Sequence, residues 1–165
     1  MNERLARLTA GYSAYPLAIL FGLNFVDEFD RVAFAALIVE IQRAFDLSDA
    51  GIQAVAGFAG LATLVLALPM GVLGDRFHRV RLSVIAAALW GGCAVLTGLV
   101  PTVWLLFFVR LGTGLGRIIN EVVHPSLLSD YYPREAHPRV FGAHRVANSA
   151  GALAGPIAGV IAAAF

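Results

Sequence analysis

Charge is what this sequence has least of. Only 14% of its 165 residues are Asp, Glu, Lys or Arg, whereas a soluble domain of this size carries about 25%. Lysine is missing altogether, and all 12 basic side chains are arginine. The formal net charge of +1 creates no field that would draw in nucleic acid or an acidic partner. The single cysteine, Cys93, lies in an apolar run, so it excludes a disulfide framework within the chain and reads as a small buried hydrophobe. No low-complexity tract or interdomain linker breaks the chain.

Apolar residues fill the space that charge leaves. They make up 59% of the chain, the mean hydropathy is +0.77, and together these point to lipid as the solvent. A helix needs about 20 apolar residues to cross a ~30 Å hydrocarbon core. Five segments meet or approach that length, at about 15–39, 50–73, 82–100, 103–128 and 140–165. The expected fold is an all-α membrane protein, with residues 1–165 forming a single transmembrane domain. Pro16 suits a helix start, and Pro101-Thr102 makes a short turn. Arginine concentrates at the amino terminus, in GDRFHRVR and around residues 134–145, on alternate loops. The positive-inside rule then puts the amino terminus in the cytoplasm. MNERLAR before an apolar run resembles a signal peptide, but no small-residue cleavage site precedes VDEFDR and four more spans follow.

The densest charge cluster lies inside the first span. FVDEFDRVAF holds Asp27, Glu28, Asp30 and Arg31. Each such group facing lipid at a helix centre would cost about 2.5–3.5 kcal/mol. The cluster is therefore expected to face protein or water. Asp27, Asp30 and Arg31 share one helical face by i,i+3 and i,i+4 spacing, with Glu28 turned about 100° away. A structural ion-pair network would satisfy the same charges. Intramembrane ionisable groups more often mark a pathway, which favours a substrate or proton site. In the fourth span Arg110, Arg117, Glu121 and His124 fall along one face, with Gly112, Gly114 and Gly116 among them to admit a neighbouring backbone. Carboxylates outnumber arginines in the two charged middles, so one of them has reason to bind a proton.

Other chemistries fail on context. GTGLG is not a dinucleotide fingerprint and follows no strand. One helix cannot converge His124, Ser126 and Asp130 into a hydrolytic trio. His78, His137 and His144 show no metal-ligand spacing, and no metal, cofactor or enzymatic activity is expected. Tyr131, Tyr132, Trp90 and Trp104 read as interfacial anchors.

Three motifs carry a family resemblance. GVLGDRFHRVR resembles the loop signature between the second and third helices of the major facilitator superfamily, with Gly71, Asp75, Arg76, Arg79 and Arg81 matching and His78 replacing the usual Gly. Histidine tolerates positive φ better than most residues, so the turn is expected to survive. LFFVRLGTGLG is similar to the family's fourth-helix signature and implicates Arg110 in proton coupling. GALAGPIAG resembles its fifth-helix antiporter signature: Gly151, Gly155 and Gly159 form a smooth stripe and Pro156 loosens the backbone beside it.

The resemblance implies five helices of a six-helix half-bundle and secondary transport of a small organic solute by alternating access. A proton gradient would be the energy source, and the location a multi-pass protein of the inner (plasma) membrane. It implies a latch role for Asp75; the charged faces of the first and fourth spans give the expected pathway of Asp27, Asp30, Arg31, Arg110, Arg117 and Glu121, whose arginines would suit an organic anion. DEFDRVAF is similar to aromatic-acid/proton symporters, while GLGRIINEVVHPSLLSDYYPREAHPRVFG looks like spinster-type lipid transporters. The two point to different substrates, and both stay open. Five helices cannot enclose a midplane site, so the remaining helices would come from the same chain or a partner chain. A truncated or non-transporting subunit that scaffolds a partner membrane protein is the competing expectation.

Overall fold

Every long apolar segment forms a helix. The computed structural model of the chain describes residues 3–164. Its helices are α1 (Glu3–Leu8), α2 (Tyr15–Ala36), α3 (Ile38–Ala44), α4 (Asp49–Arg76), α5 (Arg79–Thr97), α6 (Val103–Tyr131) and α7 (His137–Ala164), with a 3-10 turn at Arg134–Ala136 before α7. No strand occurs among the described residues. By packing, the chain divides into two compact units, Met1–Leu37 with His124–Phe165, and Ile38–Val123. α6 supplies its last turns to the first unit and the rest to the second.

The short helices α1 and α3 lie where only a terminus and a loop were expected. α1 ends in a left-handed turn, with Ala10 at φ 51° and Gly11 at φ 85°. The Gly11 N–H reaches back to the Ala6 carbonyl at 2.8 Å, which closes the orphan end of the helix. α2 stops at Ala36 rather than near Val39 because Leu37 leaves helical geometry (φ −91°, ψ 9°) while its N–H still bonds the Ala33 carbonyl. IVEIQRA then forms α3, with Glu40 in its first turn and Arg43 in its last. Both charges complement the helix dipole.

At the α4–α5 turn His78 has φ −64° and ψ 111°, ordinary extended backbone. The left-handed geometry expected there is not used, and the residue needs no glycine-like freedom. The side chain of Asp75 lies outside the described residues.

In the first unit α2 and α7 pack side by side and run parallel. Gly151 meets the Phe25 carbonyl and Glu28 Cβ, Gly155 meets Val32, and Gly159 meets Ala36, so contacts advance together along both helices. A β-carbon at Gly155 would fall 2.5 Å from Val32 Cβ. The glycine stripe is what lets the two backbones come this close. In the second unit, Gly116 plays the same part between α6 and α5: a β-carbon there would lie 2.6 Å from the Ala86 carbonyl oxygen.

Two of the four expected interfacial anchors are buried. Trp90 packs against Gly116, and Tyr132 ties down the start of α2. The Tyr132 hydroxyl donates to the Ser13 carbonyl at 2.8 Å and accepts from the Leu17 N–H at 3.1 Å. Ala14, which precedes α2, offers no side-chain cap, so the phenol satisfies one of the amides that every helix start leaves open. Trp104 and Tyr131 are exposed.

The surfaces of the long helices are strongly apolar. Leu68 is 83% exposed and Leu153 80%, a pattern suited to lipid rather than water. Among the described residues, Arg79–Thr97 and Val103–Tyr131 are long and apolar enough by composition to cross a membrane. α2 is long enough as well, but it carries its charge cluster midway.

Candidate functional site

The charged middle of α2 folds onto itself. Asp27 and Glu28 are both buried. Arg31 binds Glu28 through both guanidinium contacts, Nε to Oε2 at 3.1 Å and Nη2 to Oε1. The sequence placed Arg31 on one face with Asp27, four residues back; in the structure Arg31 also pairs with Glu28, three back. Both spacings bring side chains together on a helix, and the longer glutamate can meet the guanidinium fork with two oxygens. Burial follows from the glycine stripe, since a β-carbon at Gly151 would lie only 3.0 Å from Glu28 Cβ. Glu28, set aside in the sequence because it points away from Asp27, is thus the carboxylate at the α2–α7 seam. Asp30 is half-buried one turn from Val26 and engaged with its surroundings.

On α6, Arg117 Nε donates to Glu121 Oε1 at 3.1 Å, with the glutamate largely exposed. Arg110 is half-buried, and its carbonyl accepts the Thr113 hydroxyl at 2.7 Å. Both ion pairs close within one helix and within one unit. Beside α6, Ser83 Oγ donates to Asn120 Oδ1 at 3.4 Å in a buried contact with α5. The residues of the loop motif differ in setting: Gly71 and Arg79 are half-buried, while Arg76 and Arg81 are exposed. Pro156 is exposed within α7. In the same unit as Arg110, a groove of about 500 Å³ is walled by Leu47, Val55, Phe58, Val103, Trp104 and Phe107. Its lining suits a hydrocarbon chain.

The first unit also holds a polar cluster that the sequence did not single out. The Asn24 side-chain nitrogen on α2 donates to the His144 carbonyl at 2.8 Å and to Asn148 Oδ1, both on α7. His144 Nε2 lies 3.4 Å from His124 Nδ1 on α6, and the two rings meet edge to face with centroids 5.5 Å apart. Both rings are buried. The available signal was Asn24, His144 and Asn148 as isolated polar positions in apolar helices, with His144 and Asn148 four apart. His144 had been weighed only as a metal ligand and His124 as part of the charged face of α6 and of a hydrolytic trio; among the described residues no group of three metal ligands assembles.

Tyr132, beyond the end of α6, has its phenol pKa raised by burial, an effect that the hydrogen bond from the Leu17 amide partly opposes. Nearby, Arg139 donates to the Arg7 carbonyl at the end of α1 and to the Glu135 carbonyl at 3.3 Å, which holds α1 against the start of α7.

Residues 20–165 match the family model described as Major Facilitator Superfamily. The chain belongs to the major facilitator superfamily. It is accordingly a multi-pass membrane protein from a family of transporters rather than enzymes. Among curated relatives, Protein spinster homolog 1 of Bos taurus is 28% identical over 159 residues, 95% of this chain and 30% of that protein. The Homo sapiens homolog is 27% identical over the same shares. The sphingosine-1-phosphate transporter SPNS2 of Xenopus tropicalis is 25% identical over 113 residues, 67% of this chain and 22% of that one. A crystal structure of a bacterial homolog to the human lysosomal transporter spinster, inward-facing and unoccupied, shares the fold. Its TM-score is 0.74 at 23% identity, over 84% of this chain and 29% of that one. This major facilitator chain spans about 30% of the length of the spinster relatives it matches.

Proposed function

We propose that this chain forms the amino-terminal part of a secondary transporter that moves a small amphipathic organic anion by alternating access, coupled to protons. The observation that carries the reading is the Glu28–Arg31 pair in the middle of an otherwise apolar helix, with Glu28 buried and Arg31 exposed. A charged pair is retained in such a place at a cost, and a polar pathway accounts for that cost. In this reading Asp27, Asp30, Arg31, Arg110, Arg117 and Glu121 line the pathway, with Glu28 added to them. The arginines hold the anionic group, and a carboxylate exchanges the proton.

Family membership supports transport. The name of the Xenopus relative, a sphingosine-1-phosphate transporter, supports a lipid-like anion, as does the apolar groove between α4 and α6. The amino terminus lies in the cytoplasm of an inner (plasma) membrane protein, and Asp75 acts as a latch toward helices beyond this chain.

To test this, full-length protein in liposomes is given sphingosine-1-phosphate under an imposed proton gradient, alongside Asp30→Asn and Arg117→Ala. Gradient-driven uptake in the wild type that is lost in both variants is the expected result. Undiminished uptake in both would remove these residues from the pathway.

A further inference from the structure

The turn that ends α3 builds one wall of the apolar groove. Asp46 takes the left-handed conformation at φ 49°. Its N–H bonds the Arg43 carbonyl at 3.4 Å and the Leu47 N–H bonds the Gln42 carbonyl at 2.9 Å, the Schellman pattern. Leu47 is thereby laid over the start of α4, its Cδ2 3.4 Å from the β position of Gly51. Gln42 Nε2 donates to Asp49 Oδ1 at 2.8 Å and ties the end of α3 to the first turn of α4. Val55 and Phe58 continue the wall along α4, and Trp104 and Phe107 supply the wall on α6.

Every lining residue is apolar or glycine, and the space of about 500 Å³ falls within the roughly 300–1,000 Å³ of small-molecule pockets. From Gly51 to Phe58 the helix rises about 10 Å, so the groove runs from the helix ends into the apolar layer. The residues beside its α3 end are charged. Arg43 and Asp46 are exposed, and neither side chain has a hydrogen-bond or ion-pair partner among the described residues. Glu40 keeps one carboxylate oxygen buried and without a partner. Glu40, Asp46 and Asp49 thus set three carboxylates against the one guanidinium of Arg43.

We propose that the groove holds one acyl chain of a bilayer aminophospholipid, whose phosphate meets Arg43 and whose ammonium meets Asp46. A guanidinium binds phosphate oxygens through charge-assisted bonds, and a primary ammonium brings three N–H donors to a carboxylate. A net anionic headgroup would meet the excess of carboxylates, and a quaternary ammonium has no N–H to donate. A lipid-like substrate would have to displace this chain to enter the groove. The lipid site rests on residence in a membrane and not on the transport reading.

The test uses full-length protein in detergent micelles and a phosphatidylethanolamine with a diazirine midway along one acyl chain. After irradiation, peptide mass spectrometry is expected to place adducts within residues 51–58 and 103–107. Unlabelled phosphatidylethanolamine should reduce them at least about 10-fold where phosphatidylcholine and phosphatidylglycerol reduce them less than about 2-fold. Ala54 lines the groove, and Ala54→Phe, with helicity checked by circular dichroism, should abolish these adducts and spare any at the exposed Leu68. Asp46→Asn keeps a residue that tolerates the left-handed turn, and should bring the three lipids to equal competition. Equal competition in the wild type, adducts as dense at Leu68 as in the groove, or groove adducts that survive Ala54→Phe would each overturn the site. So would no adduct in either stretch, the result if a helix of the longer protein fills the groove. Displacement of the probe by sphingosine-1-phosphate but not by phosphatidylethanolamine would give the groove to the transported amphiphile instead. If the preparation moves no sphingosine-1-phosphate while the phosphatidylethanolamine preference holds, the transport reading falls and the lipid site stands.

Discussion

Gly151 presses against the Phe25 carbonyl so closely that a β-carbon at 151 would overlap the oxygen. That contact positions the α2–α7 seam on which both Glu28 and Asn24 depend. Gly151→Ala is expected to destabilise the protein by about 1–3 kcal/mol, the usual cost of overpacking. Gly142 on the same helix has nothing within 4 Å of its β position. There Gly142→Ala should stabilise by roughly 0.5–1 kcal/mol through helix propensity. Thermal unfolding in detergent compares the two. A shift of the same sign in both would contradict the packing account.

Tyr132→Phe removes the cap of α2 and leaves the Leu17 amide and the Ser13 carbonyl without their partner. The expected cost is about 1–3 kcal/mol, read as a lower melting temperature. The sign of its pH dependence follows from the raised pKa. A phenol that ionises later in the folded state than in the unfolded one contributes its stability fully below the ordinary tyrosine value of 10.0. That contribution is lost as pH rises from there through the folded value. The difference between wild type and Tyr132→Phe should therefore be constant near neutral pH and shrink above about pH 10.

His78→Gly tests the extended turn directly. With φ at −64° and no side-chain cap bond, glycine gains nothing at this helix start, and stability should change by less than about 0.5 kcal/mol. A gain of more than about 1 kcal/mol would mean that the turn does call for left-handed backbone.

Much of the fold was legible because lipid imposes length: an apolar run of about 20 residues has few alternatives to a helix. The breaks were harder to see. ALIVEI continues apolar across Leu37, so nothing in composition marks the end of α2 or the start of α3. The charge cluster of α2 was legible in the sequence, but its Glu28–Arg31 pairing was not. Measuring faces from Asp27 put Glu28 aside, although it stands three residues before Arg31, and only the packing of Gly151 on α7 against Glu28 shows it at the helix seam. His144 carried no signal until folding set it beside His124, 20 residues away.

Glu28→Gln isolates the pair from the remainder of the cluster. It keeps the shape but takes the negative charge from the Arg31 contact, which as a charge-assisted bond is worth about 1.5–3 kcal/mol. If the pair stabilises the transporting state, gradient-driven uptake of sphingosine-1-phosphate by the full-length protein should fall roughly 10- to 100-fold. Unchanged uptake would reduce Glu28–Arg31 to a structural pair.

The most direct measurement is aqueous accessibility along the middle of α2. Cys93 is replaced first, by Cys93→Ala, and Asp27, Glu28, Asp30 and Arg31 are then changed to cysteine one at a time in the full-length protein. Membrane-impermeant thiol reagents are expected to label Asp30→Cys and Arg31→Cys, with Ile19→Cys on the exposed apolar surface of the same helix remaining unlabelled. If all four charged positions stay sealed from these reagents in every transport state, α2 lines no wet pathway and the functional reading fails.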